Sequence, residues 1–355
     1  MDSRTRPRNS PAKPGPRRAA PGGAHHWRSR PWWPWVRRAL TVLFFVAVGV
    51  LLVRYGRNVD WDDVLDSVRN TPGPALLAAI ALAAASHLLY SCFDLIGRRY
   101  TGHRLPKRVV MLVNFISYAF NLSMGSLVGG VAFRYRLYSR FGLRPGVITR
   151  IVSLSMLTNW LGYMLLAGFL FLLHPLQLPP SWKMGNSGLQ WLGAALILVA
   201  AAYVATCVRS GERVWNVRGH ELYLPSGRMA VLQLAMSCVN WSLMAGVVFF
   251  LLQQKVAYSA VLTVLLIGAV AGVVTHVPAG LGVLEFIYVA LLSHQVSEGR
   301  LIGALLGYRA IYYIGPLLVA GVLYLVTEVH AREHRHLRKR QGAGMASLRT
   351  GPKGS

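Results

Sequence analysis

The stretch HVPAGLGVLE, residues 276 to 285, lies inside a long apolar run but contains helix-breaking residues and an acid, which are unusual in such a run. Pro278, Gly280 and Gly282 all disfavour a continuous helix. Glu285 follows about one turn later and is the only acid in the middle of an apolar run. Ionisable residues at bilayer depth are costly and mark functional sites. These residues are therefore the first candidates for a binding site.

Arg309, in LLGYRAIYY, is the arginine that lies farthest from a predicted membrane interface. Three interpretations of Arg309 and Glu285 stay open. The two residues form an ion pair that holds two helices together, or they face a cavity and handle a charged headgroup. In the second case Arg309 engages a phosphate through its planar guanidinium, and Glu285 takes an amine or a proton. In the third, Glu285 is a first-turn acid near the positive end of its helix dipole.

A second glycine-rich stretch, SYAFNLSMGSLVGGVAFRYR, spans residues 117 to 136. Its glycines permit a turn and a close approach of backbones. Asn121 precedes this break and Arg134 follows it. We predict a substrate-binding set drawn from both breaks: Asn121, Gly125, Gly129, Gly130, Arg134, Pro278, Gly280, Gly282, Glu285 and Arg309.

Other polar residues in the apolar runs favour structural roles. Asn114, Asn159 and Asn240 are expected to hydrogen-bond between helices, as membrane amides commonly do. Asp94 lies near the inner end of its run beside Arg98. We expect Asp94 to pair with the basic segment that begins with Arg98 and Arg99.

Catalytic, cofactor and metal motifs are missing from the sequence. GLGVLE lacks the third glycine of a dinucleotide fingerprint, and GxSxG, HExxH and P-loop patterns do not occur. Glu285 is a lone acid without a paired carboxylate, histidine or metal set that would supply the usual acid and base partners. We predict that the chain is not an enzyme and uses neither a cofactor nor a metal.

Composition indicates which elements position these residues. The chain has 355 residues, of which 54% are hydrophobic and 14% charged, a balance that favours an integral membrane protein. We predict an all-α polytopic membrane domain at 39–327, between a disordered basic arm at 1–38 and a basic tail at 328–355. It has about six full transmembrane helices, within the runs 39–55, 75–96, 148–173, 188–208, 229–252 and 301–327. The broken runs 109–133 and 256–293 bring the total to about eight membrane segments.

The net charge of +26 does not indicate nucleic-acid binding, because the positive residues follow membrane topology. Thirty-one of the 38 Lys and Arg residues lie in the arm, the tail and the segments 98–108, 134–150 and 209–228. The positive-inside rule places all five on the cytoplasmic side, with both termini. Anionic phospholipids of the cytoplasmic face are the predicted partners of this basic surface.

The same topology predicts two re-entrant elements. Segments 98–108 and 134–150 both lie inside, so residues 109–133 enter and leave on one side, with a helix to about 123 and a turn at Gly125, Gly129 and Gly130. Residues 256–299 enter and leave on the outer side, as a re-entrant element, which we favour, or as a hairpin that crosses the membrane. Opposed broken elements are typical of transporters that bind substrate near the midplane.

The two breaks also carry a family resemblance. Residues 117–143 and 276–285, together with SCVNW at 237–241 and GYRAIYY at 307–313, resemble the membrane region of the lysylphosphatidylglycerol synthase superfamily, most closely the YbhN-type bacterial inner-membrane proteins. The resemblance covers roughly 37–327. It implies a multi-pass inner-membrane domain which, in the synthases, is credited with moving an aminoacylated lipid between leaflets. The aminoacyl-transferase domain of the synthases has no counterpart in the tail, so synthetic activity is not expected.

The sequence therefore favours a flippase-like lipid translocase or lipid-handling transporter for a phospholipid-type substrate. The alternative is a membrane protein that transports nothing and acts as the partner of a lipid-synthesising enzyme.

The predicted topology is testable with reporter fusions. A reporter that is active only in the periplasm is expected to be inactive when fused at residue 140, because a re-entrant 109–133 returns the chain to the cytoplasm. The same reporter fused at residue 255 is expected to be active. Periplasmic activity at residue 140 would show that 109–133 crosses the membrane.

Overall fold

The computed structural model describes Asp62, Asp66 and residues 69–173, 186–209, 214–217, 220–223, 225–275, 277 and 280–328. All of them belong to one compact unit, Asn58–Ser355. The predicted arm 1–38, the apolar run 39–55, Pro278 and the tail beyond Glu328 lie outside the described residues.

The first described span consists of α1 (Gly73–Ser91) and α2 (Phe93–Thr101). Pro72 precedes α1, where the missing N–H of proline leaves no helical hydrogen bond unmade. Gly102 ends α2 in the left-handed conformation, and its N–H bonds to the Arg98 carbonyl, which is a common helix ending. Together the two helices form a 29-residue apolar span.

The first broken element begins with α3 (Lys107–Met124). A π-helical segment (Ser126–Ala132) and α4 (Phe133–Arg140) follow it, and we call residues 126–140 the return arm. The return arm packs antiparallel on α3, since Gly129 lies against Phe120 and Tyr138 bonds to the Val110 carbonyl.

Three long helices come next: α5 (Pro145–Leu173), α6 (Asn186–Arg209) and α7 (Gly227–Leu251). Between α6 and α7, β1 (Val214–Val217) and β2 (His220–Tyr223) form an antiparallel pair in which Val214 faces Tyr223 and Val217 faces His220. The sequence-based prediction treated 209–228 only as a basic segment and did not anticipate this hairpin.

The second broken element has unequal arms. Its first arm is α8 (Tyr258–Thr275), with 18 residues, and its second is α9 (Val283–Leu292), with 10. The last span, Glu298–Glu328, starts with α10 (Glu298–Tyr308) and passes through a π-helical turn at Arg309–Ile314.

The predicted fold class is confirmed: the membrane part is all-α and polytopic. Six of the described helices are long and apolar enough to cross a membrane. Five correspond to predicted full spans, and the sixth is α8, an arm of the second broken element. At 1.5 Å per residue α9 extends only ~15 Å, half of the ~30 Å hydrocarbon core. The re-entrant paths of both elements remain predictions.

Two apolar clusters hold the helices together. The larger joins α1, α5 and α7 to the second broken element, with Val247, Leu266 and Leu305 fully buried. The smaller joins α3 and the return arm to α5, around Ile116, Leu137 and Ile151. Because lipid tails are as apolar as these side chains, such contacts stabilise the bundle through close packing rather than through exclusion of water.

The packing of the return arm generates a stability prediction for Gly129. A Cβ at this position would lie 2.2 Å from the backbone of Phe120 and Asn121. We expect Gly129→Ala to lower the free energy of unfolding in detergent by about 1–3 kcal/mol, the usual range for overpacking. The control is Gly321→Ala in the last span, where a Cβ would meet nothing within 4 Å. Equal thermal unfolding of the two variants would contradict the tight packing at Gly129.

Candidate functional site

The second break turns the chain through two glycines in the left-handed conformation. Gly280 has φ +58° and Gly282 has φ +77°, values that side chains with a Cβ rarely adopt. The Gly280 N–H bonds to the Val277 carbonyl, and the Gly282 carbonyl accepts from Phe286 in the first turn of α9. These two predicted glycines therefore set the direction in which α9 begins.

Glu285 lies in that first turn and is buried together with Arg309. Arg309 donates to both carboxylate oxygens, from Nε to Oε1 and from Nη2 to Oε2, the latter at 2.9 Å. Its Nη2 also donates to the Gly280 carbonyl at 3.0 Å, and its guanidinium lies 5.5 Å from the centre of the Tyr313 ring. One arginine thus joins the last span, the acid of α9 and the broken backbone.

The predicted ion pair is therefore confirmed, and so is the position of Glu285 as a first-turn acid. Two parallel N–H···O bonds match the planar guanidinium to the carboxylate and make this a strong, directional contact. Arg309 is the twelfth residue of the 31-residue last span. The contact therefore lies ~17 Å along that helix from its start.

At the first break, Gly125 turns the chain as predicted. It has φ +85°, and its N–H bonds to the Asn121 carbonyl at 2.9 Å to close the end of α3. The predicted turn was too broad, because Gly129 and Gly130 belong to the helical return arm. They matter for close approach: Gly129 contacts the α3 backbone, and the Cα of Gly130 faces the Asn121 side chain.

Arg134, in the return arm, is only 2% exposed and donates to four groups. Its Nε bonds to Asp94 at 3.1 Å, Nη1 to the Gly130 carbonyl at 3.1 Å, and Nη2 to Asn114 and to Ser155, the latter at 3.2 Å. Tyr138 donates to the same Asp94 oxygen at 2.8 Å. We call these five side chains the Asp94 cluster: Asp94, Asn114, Arg134, Tyr138 and Ser155.

The expected pairing of Asp94 with Arg98 and Arg99 was wrong. Arg98 instead donates to the Leu105 carbonyl at 2.7 Å. Asp94 is fully buried, and a carboxylate out of water needs a partner that is buried with it. The return arm brings Arg134 into that position.

A set of tyrosines connects the first broken element to the last span, and the sequence-based prediction missed it. Tyr118 of α3 shares a hydrogen bond with Tyr312 of the last span, with the hydroxyl oxygens 3.0 Å apart. Ser86 contacts Tyr312 at 2.7 Å and donates to Asn240 at 2.8 Å. The sequence did offer one signal for this contact: Tyr118 lies in the motif at 117–143 and Tyr312 in GYRAIYY at 307–313.

The tyrosine set also reaches the Asp94 cluster. Tyr90 stacks on Tyr118 with ring centres 3.5 Å apart, and Asn114 donates to the Tyr90 carbonyl at 2.7 Å. Asn114 and Asn240 thus make the interhelical hydrogen bonds predicted for them. At Asn159 the main-chain carbonyl accepts from α7, from Ser237 and Trp241. Within the described part of the chain, no group of three His, Cys, Asp or Glu side chains is arranged to hold a metal ion.

Comparison with known proteins places this geometry in a family. The family model for the lysylphosphatidylglycerol synthase transmembrane region matches residues 39–320, which include both breaks. The chain belongs to this family. The resemblance drawn from the two glycine motifs is therefore confirmed over almost the whole predicted membrane domain.

Three relatives show how far the family extends. The chain is 47% identical to inner membrane protein YbhN of Escherichia coli, over 87% of this chain and 97% of that protein. It is 29% identical to an uncharacterized protein of Synechocystis, over 82% and 92%. Phosphatidylglycerol lysyltransferase of Staphylococcus haemolyticus is 22% identical over 79% of this chain but 33% of its own length. These matches support a multi-pass inner-membrane protein of this family.

The buried Asp94 cluster generates the prediction of this section. Asp94→Asn leaves Arg134 charged and buried without its counter-ion, so we expect a loss of about 3–5 kcal/mol in unfolding free energy. Adding Arg134→Met removes the unpaired charge and is expected to restore part of the loss. Thermal unfolding in detergent measures both. The control is Glu298→Gln, which removes an exposed carboxylate; an Asp94→Asn variant as stable as this control would contradict the structural role of the pair.

Proposed function

We propose that this family member is a lipid translocase, or a lipid-handling transporter, for a phospholipid-type substrate. The observation that carries the proposal is the contact of Arg309 with both Glu285 and the non-helical backbone at Gly280. It combines a strong anion-binding group, a carboxylate and a helix break in one place.

The depth of this contact supports a site within the bilayer. The last span is ~46 Å long, and the contact lies ~17 Å from its start. The hydrocarbon core of a bilayer is ~30 Å thick. Non-helical backbone at such a depth is tolerated only where protein buries it or a wet cavity meets it. Arg309 donates a hydrogen bond to one carbonyl of the break, that of Gly280. The break is therefore tolerated both when protein buries it and when it lines a wet cavity.

The chemistry of the pair suits a phospholipid headgroup. A phosphate can take the place of the Glu285 carboxylate on the planar fork of Arg309, because both anions accept two parallel hydrogen bonds. Glu285, released from the pair, then binds the ammonium group of a headgroup or takes up a proton. The exchange keeps every charge paired, whereas a lone buried charge would cost several kcal/mol.

We assign the predicted residues of the first break to positioning. Arg134 is buried with four hydrogen-bonded partners, so a headgroup would have to displace all of them. Gly125, Gly129 and Asn121 hold the return arm against α3. The Tyr118–Tyr312 contact then joins this element to the helix that carries Arg309.

The relatives favour a phospholipid over other substrates. The staphylococcal relatives are named phosphatidylglycerol lysyltransferase, and the chain aligns with about one third of their length. By their name, those proteins act on a phospholipid. We place the basic segments and both termini in the cytoplasm, where they face anionic lipid.

The test is lipid movement between leaflets in proteoliposomes. The full chain is reconstituted with headgroup-labelled phosphatidylglycerol, and a membrane-impermeant reductant measures the fraction of label in the outer leaflet over time. We expect the wild type to transfer label faster than protein-free vesicles. The double variant Glu285→Gln, Arg309→Gln removes both charges together and is expected to fall to the protein-free rate.

A matched control removes one acid and one base from the start of the same helix: the exposed Glu298→Gln with the half-buried Arg300→Gln. This variant is expected to retain the wild-type rate. Transfer by the Glu285, Arg309 variant at the wild-type rate would refute the assigned site. A wild type without transfer that co-purifies with a lipid-synthesising enzyme would support the alternative, a membrane partner that transports nothing.

A further inference from the structure

An apolar groove of about 490 Å³ runs along α6 in the described part of the helix bundle, far along the chain from either break. Its lining from α6 extends from Ile197 to Arg209, and Leu165 and Leu234 contribute from α5 and α7. Three of the α6 side chains on this surface are alanines, Ala200, Ala201 and Ala205. The alanines leave room between the larger side chains of the lining, Ile197, Val204 and Val208.

Tight helix contacts define the two ends of the groove. At one end Ile197 lies where a Cβ on Gly168 of α5 would meet it at 2.6 Å. At the other end Val208 lies in the same relation to Gly227, at the start of α7. Between the ends, the three helices are hydrogen-bonded side by side, since Tyr203 donates to Gln233 at 3.0 Å and Gln233 to Thr158 at 2.7 Å.

The length of the groove fits one leaflet of a membrane. From Ile197 to Arg209 the helix advances ~18 Å, and one leaflet of hydrocarbon is ~15 Å thick. The lining is apolar except for Arg209, which is exposed at the end of α6. Arg228, also exposed, follows Gly227 and adds a second cation at this end.

We infer that this groove binds one anionic glycerophospholipid, with an acyl chain along α6 and the headgroup phosphate at Arg209. The occupant follows from charge complementarity: an apolar channel of one leaflet's length that ends in a cation matches a lipid with a negative headgroup. The site is separate from the Glu285–Arg309 contact, so it does not depend on lipid translocation.

Binding to the purified full chain tests the inference. Native mass spectrometry compares the first bound lipid in mixtures of phosphatidylglycerol and phosphatidylcholine. We expect Arg209→Gln to lower the preference for phosphatidylglycerol about five-fold, the equivalent of ~1 kcal/mol for one cation at a lipid surface. Arg108→Gln, at an exposed position on α3, is the matched control and is expected to leave the preference unchanged.

A second variant tests the acyl-chain part of the site. Ala201→Trp fills the groove and is expected to reduce binding of both lipids, whereas Leu198→Trp, on an exposed face of the same helix outside the groove, is expected to have no effect. An unchanged lipid preference in Arg209→Gln, with thermal stability reduced, would overturn the inference and leave Arg209 as a helix-end charge. A wild-type dimer that Ala201→Trp converts to a monomer would overturn it too, since a second copy would then occupy the groove.

Discussion

The contact of Arg309 with Glu285 and Gly280 meets the strictest requirement on a chain in hydrocarbon, which is that no charge or backbone group stays unpaired. A helix break frees carbonyl and N–H groups, and a buried carboxylate adds a charge. Arg309 hydrogen-bonds to both the carboxylate and a freed carbonyl, because its guanidinium carries five N–H donors in one plane. The last span and the second broken element are thereby tied together at one point.

The first break meets the same requirement through different residues. Arg134 takes the role of Arg309, with Asp94 as its counter-ion and the Gly130 carbonyl as its backbone partner. Each broken element is thus held by an arginine that binds one carboxylate and one glycine carbonyl: Arg134 within the first element, and Arg309 of the last span at the second. The two differ in their surroundings: Arg134 is enclosed by Asn114 and Ser155 as well, whereas Arg309 has the face of Tyr313 beside it. We propose substrate contact for Arg309 because it lies beside the non-helical backbone at Gly280, and positioning for Arg134 because a headgroup would have to displace four partners from it.

Much of the fold was predictable because membrane spans are encoded locally. A run of about 20 apolar residues crosses a bilayer whatever its neighbours do, so the spans at α1, α5, α6 and α7 were placed without knowledge of packing. Glycines that adopt positive φ were also predictable, as at Gly125 and Gly280. The pairing of Glu285 with Arg309 was predictable because the apolar runs contain few other charged residues. Gly129 and Gly130 were wrongly predicted to form a turn. A glycine at a close approach of two backbones looks the same in the sequence as a glycine in a turn.

By itself, then, the sequence determined the membrane class, the positions of the long helices, the two breaks and the family. These depend on composition and spacing along one chain. Only the tertiary structure decided that Asp94 pairs with Arg134, that Tyr118 meets Tyr312 and that α6 borders a groove ending in Arg209. Each of these depends on which faces of distant helices meet. Packing in lipid selects those faces by shape and hydrogen bonding, and neither is apparent in an apolar run whose residues look alike.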